Sequence, residues 1–339
     1  MKKLLFAAAA IVAMASCATD DVVSRPAGAA IEFNDAFVEN ATRANDIAKD
    51  NLSQFNVYGS VTVNDTNGFI FTDQLVEKDG DNYTYTPAQY WIPKASYKFT
   101  AFASLTANQT VARQWSFAPD ADADAANGVI SFNNKVAEAN QDLVYAYAAC
   151  TTPETIDYKP APVAFTFNHM LSRVQFTITN GFAEGSNIKL DITDLTITDA
   201  HANGTLKVTN GVAQTWAVGT EVFDRNFGST TQIADNNASW TTEHFYLIPT
   251  KATYNVTFDV TLWQAGVNID TYTRTATVNL DMSKGMSYNI KATLNASNTA
   301  EDGSELYPIE FTVTDVEKWD NNPDTPEEDW TDVNATVND

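Results

Sequence analysis

The chain of 339 residues contains two cysteines, three histidines, and 20 lysines and arginines against 43 aspartates and glutamates. Two cysteines cannot build a disulfide framework. The histidines, His169, His201 and His244, show no H-x-x-x-H or Cys/His spacing, so a zinc site is not expected. A formal net charge of −23 repels phosphate backbones, which argues against nucleic acid as a partner. With 14 glycines and 11 prolines, the chain has too few of either for a linker or a fibrous repeat. There is no P-loop, dinucleotide fingerprint or G-x-S-x-G elbow. The apolar run at residues 4–14 falls well short of the ~20 residues that a membrane-spanning helix needs. No catalysis, metal or cofactor is therefore expected. What is present is 44% hydrophobic and 12% aromatic residues, enough to build cores in about two domains of roughly 150 residues.

The first segment reads as an address. Lys2 and Lys3 precede the apolar run, as in an export signal. The run ends in Met14-Ala15-Ser16-Cys17, which resembles the lipobox of bacterial lipoproteins, with Met14 in the place usually taken by leucine. That resemblance implies lipid on Cys17. The alternative is an ordinary signal peptide with an A-x-A-like cleavage site. Asp20 and Asp21 look like the surface-export signal of some Gram-negative lipoproteins. Cys150 is then the remaining thiol, expected to be a buried small hydrophobe.

The body alternates apolar and polar residues in short runs, the period of half-buried strands. Phe55, Val57, Val61 and Val63 share one strand face; Val174, Phe176 and Ile178 share another. Asn67-Gly68, Asp79-Gly80, Asn180-Gly181, Asn203-Gly204 and Asn210-Gly211 are hairpin-type turns. Helical spacing appears only near 123–126 and 136–140, so the fold is expected to be all-β. Tyr90-Trp91-Ile92-Pro93 recurs as Tyr246-Leu247-Ile248-Pro249, each copy followed by a strand carrying a tyrosine, which points to duplication. Pro153, Pro160 and Pro162 mark a seam between the copies.

Three features invite a binding reading. Asp120-Ala121-Asp122-Ala123-Asp124 starts like a calcium loop, but Ala125 replaces its glycine and Ser131 its closing glutamate, which leaves a solvated acidic loop. Tyr83, Tyr85, Tyr90 and Trp91 could stack on sugar rings, or could form core with polar tips at the surface. His169 is expected to be packed or to cap a turn. At the chain ends, Ile31, Phe33 and Phe37 fall on one side of a candidate strand, followed by Arg43 in a polar stretch suited to an arginine-specific protease. Beyond an acidic spacer at 320–329, Thr331, Val333, Ala335 and Val337 alternate with polar residues. This last strand is either a frayed tail, an edge strand of its own domain, or a strand offered to another molecule.

Several of these pieces together resemble one family. Phe165-Thr166-Phe167-Asn168-His169-Met170-Leu171-Ser172-Arg173-Val174-Gln175-Phe176 looks like the motif opening the second domain of fimbrillins, the type V pilins. Gly285-Met286-Ser287-Tyr288-Asn289-Ile290, then Ile309-Glu310-Phe311-Thr312-Val313 and Trp319, is similar to their ending, with Met286 in place of the usual lysine. Thr42-Arg43-Ala44 resembles the family's processing site, and Phe55-Asn56-Val57-Tyr58-Gly59 its first strand after the cut. Residues 85–91 fit its aromatic turn.

The resemblance implies two transthyretin-like antiparallel β-sandwich domains in tandem. The corresponding division is a signal peptide (1–17), a propeptide with a removable first strand (18–43), domains at 44–155 and 156–319, and a spacer with a candidate donor strand (320–339). It further implies a pilus subunit of the shaft or tip, held in the outer membrane by lipid on Cys17 and cut between Arg43 and Ala44 by an arginine-specific protease. The subunits would join head to tail through donor strands, here Thr331 to Val337, and display a fimbrium that adheres to a host or bacterial surface ligand. The alternative is a surface lipoprotein that binds glycans through the aromatic cluster and does not polymerise.

Overall fold

The computed structural model describes residues 29–38, 52–80, 82–104, 113–134, 140–154, 161–299 and 308–318. Among the described residues nine strands precede Met170: β1 (Phe33–Val38), β2 (Gln54–Val63), β3 (Thr66–Asp79), β4 (Asn82–Thr84), β5 (Ser96–Ala103), β6 (Trp115–Pro119), β7 (Gly128–Asn133), β8 (Val144–Thr151) and β9 (Val163–His169). After it come β10 (Ser172–Asn180), β11 (Ile188–His201), β12 (Asn203–Thr209), β13 (Val212–Val218), β14 (Val222–Asn226) and β15 (Thr230–Ile233). They are followed by β16 (Ser239–Thr241), β17 (Phe245–Leu247), β18 (Lys251–Gln264), β19 (Val267–Asp281), β20 (Met286–Leu294), a single helical turn α1 (Ala296–Thr299) and β21 (Thr312–Lys318). The fold is all-β, as the alternation predicts. In β9 the match is residue by residue: Val163, Phe165, Phe167 and His169 turn inward, and Ala164, Thr166 and Asn168 outward.

Seven strands close a barrel in the order β1-β4-β3-β2-β5-β8-β9. The C-terminal half is a sandwich of two sheets, β16-β10-β20-β21 and β14-β11-β18-β19, with β17 also on β10 and β15 also on β11. Val174, Phe176, Leu190, Val256, Phe258 and Ile290 fill the space between them. Among the described strands every pairing is antiparallel except two, β1 with β9 and β10 with β20. The exceptions correspond, because each joins the first strand of one half to a late strand of the same half. The central ladders correspond too, β2-β5-β8 in the barrel and β11-β18-β19 in the sandwich. The two halves share a pairing plan, in keeping with the repeated Tyr-x-Ile-Pro that precedes both β5 and β18.

Each half also carries an inserted hairpin, and the two insertions meet. β6–β7 lies between β5 and β8 in sequence, β12–β13 between β11 and β14, and β7 pairs with β12 from Asn203↔Asn133 to Val208↔Gly128. The resulting sheet, β13-β12-β7-β6, forms a middle layer. Its Trp115, Phe117, Ile130, Phe132, Leu206 and Trp216 pack with Tyr58, Phe102 and Tyr145 from the barrel and Tyr246 and Ile248 from the sandwich half. β9, beyond the proline-rich seam, pairs with β8 and β1, so the chain leaves the barrel at Met170. There the Met170 N–H donates to Leu143 O at 2.8 Å. Its carbonyl accepts the Trp216 indole N–H at 2.7 Å.

His169 is packed, as expected, with Nδ1 2.7 Å from Asp142 Oδ2 inside the protein. Cys150 corrects an expectation: the thiol is exposed, because the inner half of β8 lies in the core and its outer half runs past it. Burial also sets a pH limit. It pushes the Tyr58 phenol up to about 12, helped by the nearby Asp73 charge, and the Tyr254 phenol likewise to about 12. Neutral phenols are thus favoured in the fold, and their contribution is complete below pH ~10 and lost as pH rises toward ~12. Tyrosine ionisation followed by ultraviolet absorbance should show a late fraction that titrates together with loss of the β-sheet circular dichroism. Complete ionisation by pH ~11 with the fold intact would refute this.

Candidate functional site

Residues 29–34 approach the barrel as a strand whose period is set by Ile31 and Phe33. Both side chains are buried, 1% and 2% exposed, while Glu32 and Asn34 turn toward solvent. The backbone is held on two sides. The Ile31 N–H donates to Gln89 O at 2.8 Å, and Trp91 N–H donates to Ala29 O at 3.0 Å. On the opposite side Val163 N–H donates to Glu32 O at 2.7 Å, and β1 continues along β9 from Phe33↔Val163 to Val38↔Phe167. Between β4 and β9, β1 thus supplies the strand that completes the ring.

The Phe33 ring sits in an aromatic socket. It stacks on Phe165 at 5.7 Å and meets Phe55 at 6.1 Å, Tyr85 at 5.6 Å and Phe99 at 6.0 Å edge-on, with Phe71 tilted at 5.7 Å. Gly59 allows this density, since a Cβ there would lie 2.7 Å from the Phe71 ring. Burying Ile31 and Phe33 stabilises the barrel by about 1.5–3 kcal/mol each. The Tyr85 hydroxyl donates to Ile31 O at 2.7 Å, and burial pushes that phenol above its ordinary value, keeping it a donor.

Removing the strand would therefore open a groove with an apolar floor. One wall would be β9 and the other β4 with the turn at 89–91, each left with backbone groups that had been paired.

The four aromatic residues singled out from the sequence fall around this seat, but they do not share one exposed face. Tyr83 is buried, and its hydroxyl donates to Leu52 O at 3.0 Å. Tyr85 is half-buried and holds Ile31. Trp91 is buried, edge-on to Tyr97 at 4.7 Å. Tyr90 is exposed. Cys17, Arg43, Ala44, Thr331, Val333, Ala335 and Val337 lie outside the described residues. In the calcium-like loop Asp124 is already engaged, with Lys98 Nζ at 2.5 Å and the Ala126 N–H at 2.9 Å. No trio of His, Cys, Asp or Glu among the described residues could hold a metal ion. Among them, too, no helix is long and apolar enough to cross a membrane. The parallel partnership of β1 with β9 was not visible in the sequence, because alternation shows which residues face inward but not which strand lies alongside.

Residues 42–315 match a family model described as fimbrillin-like. A fimbrial protein from Bacteroides vulgatus ATCC 8482 shares the fold at 16% identity, with a TM-score of 0.60 over 86% of this chain and 100% of that one. The fimbrial anchor protein Mfa2 from Porphyromonas gingivalis is similar at 11% identity and a TM-score of 0.38, covering 84% of this chain and 96% of its own. No curated protein matches the chain. Since the family match takes in most of its length, the chain belongs to the fimbrillin-like family.

Proposed function

We propose that this protein is a structural subunit, of the shaft or tip, in a type V pilus that supports cell adhesion. It is exported as a lipoprotein on Cys17 in the outer membrane, cut between Arg43 and Ala44 by an arginine-specific protease, and polymerised into a cell-surface fimbrium by strand exchange. It has no catalytic role. One observation carries this reading: β1 precedes Arg43 in sequence yet holds Phe33 in the barrel core. A cut at Arg43 therefore separates a core strand from the body that needs it. The family match supports the same division, since it begins at residue 42 and leaves β1 outside.

Until the cut, the strand keeps the barrel closed and the subunit soluble. After the strand leaves, apolar floor and unpaired backbone are exposed together, and a strand from another subunit satisfies both. Each subunit gives one strand and accepts one, a heterologous contact that grows filaments and does not close into pairs. A glycan platform made of Tyr83, Tyr85, Tyr90 and Trp91 has less support, because Tyr83 and Trp91 are buried.

Mass spectrometry of surface-extracted protein, with electron microscopy of the purified chain before and after protease, tests the proposal. A mature start at Ala44, with filaments from the cut chain and none from Arg43→Gln, is expected. A mature form that keeps residues 18–43, or filaments from Arg43→Gln equal to those of the cut chain, would overturn it.

A further inference from the structure

The outer face of the middle layer carries a regular polar array. With Trp115, Ile130 and Leu206 on the packed side, Ser116, Ser131 and Thr205 are exposed on the other. Register aligns these hydroxyls across three strands, Ser116 opposite Ser131 and Ser131 opposite Thr205. A second row lies two residues away along the same strands. Asn133 N–H donates to Gln114 O at 2.8 Å, and Asn203 pairs with Asn133. Alternation places these three amide residues on the same face as the hydroxyls. Neighbouring strands lie ~4.8 Å apart and same-face residues ~7 Å apart along a strand, so the array repeats on the scale of a pyranose ring.

The two rows line an open cleft of about 940 Å³, a size suited to a small-molecule ligand. Although the chain carries a net charge of −23, no carboxylate among the described residues lines this cleft. Its charged lining residue is Arg113, and that charge is already matched. The guanidinium bonds the Asp73 carboxylate at 2.7 and 3.0 Å and lies over the Trp115 ring at 4.2 Å. The amide row, by contrast, holds more polar atoms than the protein pairs. Gln114 Nε2 and Oε1 and Asn203 Oδ1 are buried with no hydrogen-bond partner among the described residues. Asn203 Nδ2 donates to Glu221 Oε2 at 3.2 Å, which fixes the amide with its oxygen as the spare acceptor. A Cβ on Gly219 would fall 1.8 Å from that oxygen, so the glycine keeps its seat open. Buried polar groups are ordinarily paired, and unpaired ones call for a functional reason.

We infer that this cleft binds a neutral oligosaccharide, whose hydroxyls bond to Ser116, Ser131, Thr205 and Asn133 across the strands. Gln114, on a flexible side chain at the cleft wall, turns its amide to the sugar and gains the bonds it lacks. Sugar hydroxyls both donate and accept, which matches rows that mix hydroxyls with amides. A sialic acid or a sulfate would find no unmatched cation. An extended peptide needs pockets for alternate side chains, whereas the short side chains here make a shallow polar floor. Trp115 is 3% exposed, so its ring offers no stacking face and hydrogen bonds carry the recognition. Single-site affinity is then modest, and many copies on one fimbrium raise it by avidity. The inference gives the adhesion reading above a ligand class but does not rest on strand exchange, since the uncut monomer should bind.

The test applies the uncut chain to an array of neutral, sialylated and sulfated oligosaccharides, with an array of extended peptides in parallel, and titrates the strongest ligand by calorimetry. Neutral oligosaccharides are expected to bind best. Ser131→Tyr, which fills the middle of the hydroxyl row, should weaken binding at least about tenfold. Gln114→Leu should weaken it about threefold to tenfold, the worth of one or two neutral hydrogen bonds. Lys207→Ala, exposed on β12 outside the cleft, should bind like the parent. Gln114→Leu also separates binding from folding: it removes an unpaired buried amide, so the variant should be at least as stable as the parent in urea. Stronger binding to acidic glycans or to peptides, binding to neither array, or parent-like binding by either cleft variant would overturn the inference. A loss of stability in Gln114→Leu would assign its amide to the fold and overturn it too. None of these outcomes touches the reading of β1 and Arg43.

Discussion

Phe33→Ala in the uncut chain is expected to destabilise the barrel by about 3–5 kcal/mol, the usual cost of emptying a well-packed phenylalanine site. Five rings surround that side chain, and they sit on β2, β3, β5, β9 and the turn after β4. They cannot all close inward at once, so the upper part of the range applies. Val267→Ala, at a side chain 66% exposed on β19, is the matched control and should change stability by no more than about 0.5 kcal/mol. Urea unfolding followed by tryptophan fluorescence measures both. A loss below about 1 kcal/mol at Phe33 would mean that β1 is not part of the cooperative core, and the proposed consequence of cutting at Arg43 would fall. The same variant should also release its leader strand faster after proteolysis, because the socket that holds it is empty.

Trp216→Ala is the second large effect, again about 3–5 kcal/mol, but its character should differ. Trp216 comes from the sandwich half, packs in the middle layer against Phe132 at 6.3 Å, and bonds the Met170 carbonyl where the chain crosses between halves. Other links in this layer run the same way. Asn134 Nδ2 donates to Tyr246 O at 2.9 Å, Tyr145 OH donates to Gly211 O at 2.8 Å, and Tyr246 N–H donates to the Asn140 side chain at 3.0 Å. Weakening this layer should uncouple barrel and sandwich, so that calorimetry shows one transition in the parent and two in the variant. Trp216→Phe keeps most of the ring and loses only the bond, and should retain one transition at reduced stability. A single transition in Trp216→Ala, shifted no further than in Trp216→Phe, would show that the middle layer does not couple the halves.

The strands were legible because their burial is one-sided: Val163, Phe165 and Phe167 face in and their neighbours face out. Phe33 was legible for the same reason, with Ile31 two residues earlier. Cys150 was misread because alternation near the end of β8 does not show where the core stops. The shared sheet could not be read at all. Gly128 to Asn133 and Asn203 to Val208 are ordinary hairpin strands in sequence, and nothing local tells each to pair with the other across some 75 residues.

The Tyr-x-Ile-Pro repeat marks the boundary between what the two levels decide. By itself the sequence determined that the chain is all-β and that a Tyr-x-Ile-Pro turn recurs before a central strand in each half, because composition and period are local properties of the chain. The different tasks of the copies were decided only in three dimensions. Tyr90 and Trp91 lie against Ala30 and Ala29 and form a wall for the leader strand. Tyr246 is gripped by Asn134 and Asn140 and helps lock the two halves together. The same local motif closes a groove in one half and joins the halves in the other because the strand beside it differs, and long-range packing chooses that neighbour.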